Sequence, residues 1–287
     1  MNASDIRTAC VLGAGTMGHG IAHVLAAAGI ETRLFDVADA AVQAGLAKVR
    51  ANLDKGVEKG KVLAADRDAT LARLTGETDL AVAARGADVV IEAVPERIEL
   101  KQRIFAQLGA LLGPEVLLAT NTSSLSISSI ARAAAHPERV VGMHFFNPVH
   151  IMKLVEVVRA EQSSDAAARC ALDLATRMGK EPIDVRDAPG FASSRLGIAI
   201  GMEAIRMVEE NVASAADIDK AMTLGYGFPM GPLRLTDLVG LDVRLAIAEY
   251  LAQELGARFE PPRLLRDMVA EGRLGKKSGR GFYEWSE

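Results

Sequence analysis

Three side chains in this sequence have the chemistry to move a proton to or from a hydroxyl: His144, Glu156 and Ser123. Such a reaction needs a base that titrates near the working pH, a group that orients it, and a donor to the oxygen. His144 closes the apolar run Val140-Val141-Gly142-Met143, and Glu156 lies between Val155 and Val157. A carboxylate between two valines needs a partner, and His144 is the obvious one; the pair would fix the imidazole tautomer and raise its basicity. Each residue also has an ordinary reading when taken alone. His144 beside Phe145 and Phe146 fits a hydrogen-bonded core histidine, and Glu156 fits a surface strand position. Ser123 or Ser124 fits the N-cap of a helix beginning near Ser126.

A second constellation lies at the start of the chain, where Gly13-Ala14-Gly15-Thr16-Met17-Gly18 joins the apolar run Thr8–Leu12 to a helical period through Met17, Ile21, Val24 and Leu25. In that setting Gly13 permits a tight turn, Gly15 lets backbone approach a pyrophosphate, and Gly18 lets helix pack on strand. The opening helix, with Thr16 and Met17 at its mouth, offers unpaired N–H groups to phosphate. Asp36 closes the next run, Glu31–Phe35, where a carboxylate accepts from ribose hydroxyls and repels a 2′-phosphate. This favours NAD over NADP, with Arg33 just upstream able to blur the preference. The competing reading is an ordinary strand–helix–strand turn with a solvated aspartate.

These residues must be positioned by alternating elements. Strand-like runs are expected at Thr8–Leu12, Glu31–Phe35, Ala87–Val94, Val116–Thr120, Val140–His144 and Lys153–Val158. Helices are expected at Thr16–Ala28, Ala38–Lys59, Glu96–Leu112 and Ser164–Met178. The alternation predicts a Rossmann-like, doubly wound α/β sheet. After Asp187-Ala188-Pro189-Gly190 the β-branched runs vanish. Helices are expected at 192–210, 215–224, 234–240, 241–255 and 262–271, so the sequence predicts an α/β domain over 1–188 and an all-α domain over 189–287.

Bulk properties restrict the function classes. The chain has 287 residues, a net charge of -4 and no long basic run, which argues against nucleic acid as a partner. No apolar run approaches the ~20 residues of a membrane span, and no signal peptide is visible. The two cysteines, Cys10 and Cys170, suit a reducing compartment, so a soluble cytoplasmic protein is expected. No metal site is indicated. His19 and His23 fall on the first helix, and His136 and His150 fit loops.

The strings Gly13-x-Gly15-x-x-Gly18, Glu92-Ala-Val-Pro-Glu96, Asn121-Thr-Ser-Ser, His144-Phe-Phe-Asn147-Pro and Pro189-Gly-Phe together resemble the L-3-hydroxyacyl-CoA dehydrogenase family, in its bacterial 3-hydroxybutyryl-CoA branch. The resemblance continues through Met230-Gly-Pro-Leu-Arg-Leu-Thr-Asp-Leu-Val-Gly-Leu-Asp242 and Gly275-Lys-Lys-Ser-Gly-Arg-Gly-Phe-Tyr283, spanning essentially the whole chain in order. It implies His144 as general base at the 3-hydroxyl, Glu156 as its orienting group, and Ser123 as donor to the substrate oxygen. It implies contacts to NAD from Glu96, Lys101, Asn121 and Asn147, and to coenzyme A from Asn52 and Lys59. It also implies a homodimer through the helical domain, whose stripes include Ile198, Ile205 and Val208. One position departs from the family: Ser194 stands where an asparagine is usual, and a hydroxyl is shorter than an amide and lacks its paired donor and acceptor.

The expected activity is therefore an NAD-dependent exchange between short-chain (S)-3-hydroxyacyl-CoA and 3-oxoacyl-CoA. The alternatives are a dehydrogenase of a hydroxy acid without coenzyme A, one acting on 3-hydroxyadipyl-CoA, and a non-enzymatic NAD-binding protein.

Overall fold

A computed structural model describes residues 2–285. The chain divides into two compact units, one running to Ala188 and the other starting at Pro189. The first is built on eight strands: β1 (Thr8–Leu12), β2 (Glu31–Phe35), β3 (Leu74–Glu77), β4 (Val89–Glu92), β5 (Leu117–Thr120), β6 (Val140–Phe145), β7 (Leu154–Arg159) and β8 (Glu181–Arg186). Their order in the sheet is β3-β2-β1-β4-β5-β6-β7-β8. Every neighbouring pair is parallel except β6 and β7, which run antiparallel. The result is the doubly wound α/β sheet expected.

The inner strands β4, β5 and β6 are buried along their whole length, as parallel strands covered on both faces must be. Cys10 and Cys170 belong to this interior as small hydrophobes, and burial pushes their thiols up to about 12 and about 11.

Two strands were not expected from the sequence. β3 has four residues and includes Gly76, whose missing side chain admits Val42; a Cβ there would lie 2.3 Å from Val42 Cγ1. Such a segment is too short to show a period. β8, Glu-Pro-Ile-Asp-Val-Arg, is a sheet edge with its charged residues exposed, so it has no apolar run; Pro182 is tolerated there because an edge has one unpaired side.

Two helices begin later than expected. The first starts at Gly18 rather than Thr16, because residues 15–17 form the turn of the glycine loop. The other starts at Ile98 rather than Glu96, because Pro95 and Glu96 remain in the loop leaving β4.

The second unit contains the helices Ser193–Glu209, Ala215–Lys220, Pro232–Val239, Leu241–Leu255 and Arg263–Ala270. They enclose a core around Ile198, Ile205, Leu233, Leu251 and Leu265. The helix expected from Arg234 starts at Pro232, since the Asp219 carboxylate accepts from the backbone N–H of Leu233 (2.8 Å) and Arg234 (2.9 Å). The helix expected to reach Leu224 leaves α geometry at Ala221 and ends in a single π turn. Buried Asp237 accepts from Phe282 N, Tyr283 N and Trp285 Nε1 (2.8–2.9 Å), which fixes the last residues described. Among the described residues no helix is long and apolar enough to cross a membrane.

Candidate active site

The antiparallel β6–β7 pair places His144 directly opposite Glu156. His144 Nδ1 lies 2.7 Å from Glu156 Oε2, and the Glu156 side chain is fully buried. A buried carboxylate accepts a hydrogen bond from Nδ1–H, which selects the tautomer whose other nitrogen, Nε2, carries the lone pair. The ring of Phe146 packs 4.5 Å from the imidazole. Thus Glu156 is an interior residue, and its flanking valines mark burial on both faces of the sheet.

A polar network joins the loops that leave β4 and β5. Lys101 Nζ is 2.7 Å from Glu92 Oε1, and neither side chain has any exposed surface. Glu92 also accepts from Val94 N (2.7 Å) and Thr120 Oγ1 (2.6 Å). Burial pushes the Glu92 carboxyl above the usual carboxylate range, while Lys101 and these donors pull it back. Above this pair, Glu96 accepts from Thr122 Oγ1 and from Ser123 N (3.0 Å), with Ser123 Oγ at 3.5 Å and Lys101 Nζ at 3.5 Å. Ser123 is therefore held through its backbone N–H, and its partly exposed hydroxyl lies at the long edge of hydrogen-bond distance from the same carboxylate. Asn121 Oδ1 accepts from Phe145 N (3.0 Å), tying the end of β5 to the residue after His144.

Lys101, expected at the cofactor, is placed one layer below the surface, where its ammonium supports Glu92 and Glu96. Neither Ser123 nor Ser124 caps the following helix; Ser126 does, accepting from Ser129 N (3.1 Å). Ser194 lies in the first turn of Ser193–Glu209, in the second unit.

The glycine loop fits a dinucleotide by three separate tests. Gly13 has φ +96°, and a Cβ there would stand 2.7 Å from Ala93 O. A Cβ on Gly18 would stand 1.6 Å from Gly13 O. At Gly15 the direction a Cβ would take is open for 4 Å, so the bare backbone there faces unfilled space of the kind a pyrophosphate needs. Asp36 follows β2, and its Oδ2 accepts from Ala14 N (2.9 Å), fixing the carboxylate beside the loop. Arg33 is engaged with the backbone: its guanidinium donates to Ala83 O (2.9 Å) and Arg85 O (2.5 Å).

Beside the loop lies a groove of about 680 Å³ within the first unit. Asn52 and Lys59 line it, as do Thr16 and Asn147. Sequence reasoning missed Lys55 and Lys61, which bring the lysines to three, with no carboxylate among the lining residues. The signal was present, since Lys55 and Lys59 are one helical turn apart and Lys61 follows in the turn that ends the helix. His23 forms part of the floor, stacked on His150 at 5.4 Å; burial pushes His23 down to about 4 and His150 down as well, with nearby Lys180 acting in the same direction. Among the described residues no group of His, Cys, Asp or Glu is arranged to hold a metal ion.

A dinucleotide loop, an acid after the second strand and a carboxylate-held histidine define a nicotinamide-dependent dehydrogenase of the Rossmann class. The chain belongs to the 3-hydroxyacyl-CoA dehydrogenase family: the model of the family's NAD binding domain matches residues 8–188, and that of its C-terminal domain matches 190–285. It is 44% identical to the probable 3-hydroxybutyryl-CoA dehydrogenase of Bacillus subtilis over 99% of both chains. It is 45% identical to the 3-hydroxybutyryl-CoA dehydrogenase of Mycobacterium tuberculosis over 96% of this chain and 97% of the other. The crystal structure of the (S)-3-hydroxybutyryl-CoA dehydrogenase PaaH1 from Ralstonia eutropha superposes with a TM-score of 0.95 at 42% identity, covering 99% of this chain and 100% of that one.

Proposed function

We propose that this chain is an NAD-dependent dehydrogenase that interconverts short-chain (S)-3-hydroxyacyl-CoA and 3-oxoacyl-CoA, with 3-hydroxybutyryl-CoA and acetoacetyl-CoA as the pair. The observation that carries the reading is the buried His144–Glu156 contact of 2.7 Å on the strand whose end is tied to Asn121. His144 Nε2 accepts the proton of the 3-hydroxyl, and Glu156 balances the imidazolium that forms. NAD+, when bound, supplies the hydride acceptor. In the reverse direction His144 returns the proton to the 3-oxo oxygen, and the Ser123 hydroxyl donates to that oxygen as charge builds on it. Ser194 supplies a second hydroxyl where the family uses an amide.

Gly13, Gly15, Thr16, Met17, Gly18 and Asp36 hold the adenosine and pyrophosphate side of NAD, while Glu96, Asn121 and Asn147 serve its nicotinamide side and Lys101 supports them from below. The cationic groove with Asn52 and Lys59 suits the phosphates of coenzyme A. Residues 1–188 form the NAD-binding domain, and 189–287 serve substrate binding and dimerisation. The homodimer reading is supported by large apolar side chains exposed on the helical unit, among them Leu196, Leu235, Leu238 and Val243. Two buried, unpaired cysteines agree with a cytoplasmic setting.

The test follows NADH absorbance with purified protein, acetoacetyl-CoA and, as control, free acetoacetate, with NADPH and His144→Gln in parallel. Oxidation of NADH by the thioester alone, lost in His144→Gln, is the expected result. Turnover of free acetoacetate at the same rate would replace this reading with that of a hydroxy-acid dehydrogenase. Light scattering that gives a monomer at micromolar concentration would remove the dimer.

A further inference from the structure

A second cavity, of about 410 Å³, adjoins the lysine-rich groove within the first unit. Its charged and imidazole lining is His23, His150, Lys153, Arg177 and Lys180. His23 comes from the helix Gly18–Ala27, His150 and Lys153 from the connection between β6 and β7, and Arg177 and Lys180 from the end of the helix Asp165–Arg177 and the turn into β8. His23, His150 and Ile151 line both cavities, so the stacked imidazoles form part of the wall between them. Among the described residues lining the second cavity there is no carboxylate. Glu181 lies 3.5 Å from Lys153, but the two side chains are 76% and 73% exposed, where an ion pair is worth little.

The polar groups around this cavity have capacity to spare. His23 and Lys180 are each 7% exposed. His23 Nδ1 is enclosed and has no hydrogen-bond partner. Lys180 donates to Val149 O and to Met152 O (2.9 Å), which leaves one of its three N–H groups. Arg177 donates to Ala3 O (2.9 Å), Ile6 O (2.8 Å) and Ala28 O (3.4 Å), which leaves two of its five. Besides burial, every group that acts on the two imidazoles is basic: His150, His19 and Lys180 on His23, and Lys180 and His19 on His150. The protein thus leaves positive potential and an unpartnered buried nitrogen beside open space, an arrangement that costs stability until an anion fills it.

We propose that this second cavity is an oxyanion site that takes a phosphate group, separate from the lysine-rich groove. Three cations reaching one cavity from different elements suit a dianion with three oxygens better than a carboxylate with two. The rest of the lining is apolar, including Val24, Ile151 and Met178, so the phosphate is carried by a small organic monoester or is bound free as inorganic phosphate. Binding takes up a proton. His23 in the empty site sits at about 4 and is neutral near pH 7, and an anion against it favours the imidazolium. This site does not depend on the dehydrogenase function proposed above.

The experiment is calorimetric titration of the full-length protein with inorganic phosphate, glycerol 3-phosphate and sulfate at constant ionic strength. Saturable binding is expected, weakened roughly tenfold in His23→Phe and in Lys153→Ala. Tighter binding of glycerol 3-phosphate than of inorganic phosphate identifies a monoester as the ligand, and equal binding identifies the bare ion. Sulfate keeps its charge across the pH range and isolates the protein's own proton: its affinity rises as pH falls from about 7.5 to about 5.5, and His23→Phe flattens that rise. Lys153 is at the surface, so Lys153→Ala decides the matter if His23→Phe does not fold. Lys59→Ala, which alters only the neighbouring groove, should leave all three affinities within about twofold. Absence of saturable binding would overturn the proposal. So would native affinity in both His23→Phe and Lys153→Ala, and so would loss of binding in Lys59→Ala with those two unaffected, which would move the anion to the groove.

Discussion

His144 and Glu156 are cross-strand partners in the one antiparallel step of an otherwise parallel sheet, joined at 2.7 Å. Backbone pairing thus sets their separation, and in the proposed mechanism the carboxylate acts through the imidazole. Glu156→Gln keeps the shape but removes the charge that balances the imidazolium. Its kcat is expected to fall roughly 100-fold or more with KM for NADH little changed. Steady-state NADH oxidation checks this; a kcat within threefold of native would show that the pair is structural only.

The glycines of the loop separate folding from binding. Gly18→Ala forces a Cβ to within 1.6 Å of Gly13 O and is expected to cost roughly 3 kcal/mol or more of stability. Gly15→Ala meets no protein atom, so its Tm should match native while NADH affinity drops roughly tenfold. Thermal melts and NADH fluorescence titration distinguish the two.

The proposed function assigns cofactor choice to Asp36, with the Arg33 guanidinium donating to Ala83 and Arg85 carbonyls. Asp36→Asn should weaken NADH binding by roughly tenfold. It should not create comparable NADPH binding, because the Arg33 guanidinium is committed to the carbonyls of Ala83 and Arg85. Parallel titrations with both cofactors test this, and an NADPH affinity matching native NADH would contradict it.

Lys101→Met leaves Glu92 buried without its cation, and a loss of about 3–5 kcal/mol is expected in urea denaturation. Adding Glu92→Gln should recover much of that loss, since a neutral amide needs no counter-charge. A double variant no more stable than Lys101→Met would refute the assignment.

His23 titrates near 6.5 in an unfolded chain and about 4 in the folded one. Between those values the unfolded chain holds a proton that the folded chain does not. Stability is therefore intact above pH 6.5 and declines as pH falls toward 4, by about 3 kcal/mol from this residue. His150, also shifted down, adds to the same decline. His23→Phe should flatten the urea midpoint between pH 6.5 and 4 relative to native; an unchanged slope would show that His23 protonates without penalty.

The residues differ in how much their sequence neighbourhood reveals. Gly13, Gly15 and Gly18 stand between an apolar run and a helical period, so their setting was legible. The flanks of His144 and Glu156 gave their burial, and a lone buried carboxylate needs a partner. β8 escaped because an edge strand has no two-sided apolar signal, and β3 because four residues carry no period. The depth of Lys101 was invisible, since a lysine on an amphipathic helix is ordinarily solvated and only the fold brings Glu92 beneath it. The orientation of Arg33 was equally hidden: its carbonyl partners, Ala83 and Arg85, lie some fifty residues along the chain.

The connection between β6 and β7 contains Asn147, Val149 and His150, which line the lysine-rich groove, while the strands themselves carry His144 and Glu156, the proposed base and its partner. Ladder bonds between the strands fix the chemical pair whatever the intervening hairpin does. Recognition can therefore diverge by substitution or paired insertion in residues 146–153 while the reaction is retained. A shift of one residue within either strand would turn His144 and Glu156 to opposite faces and abolish it.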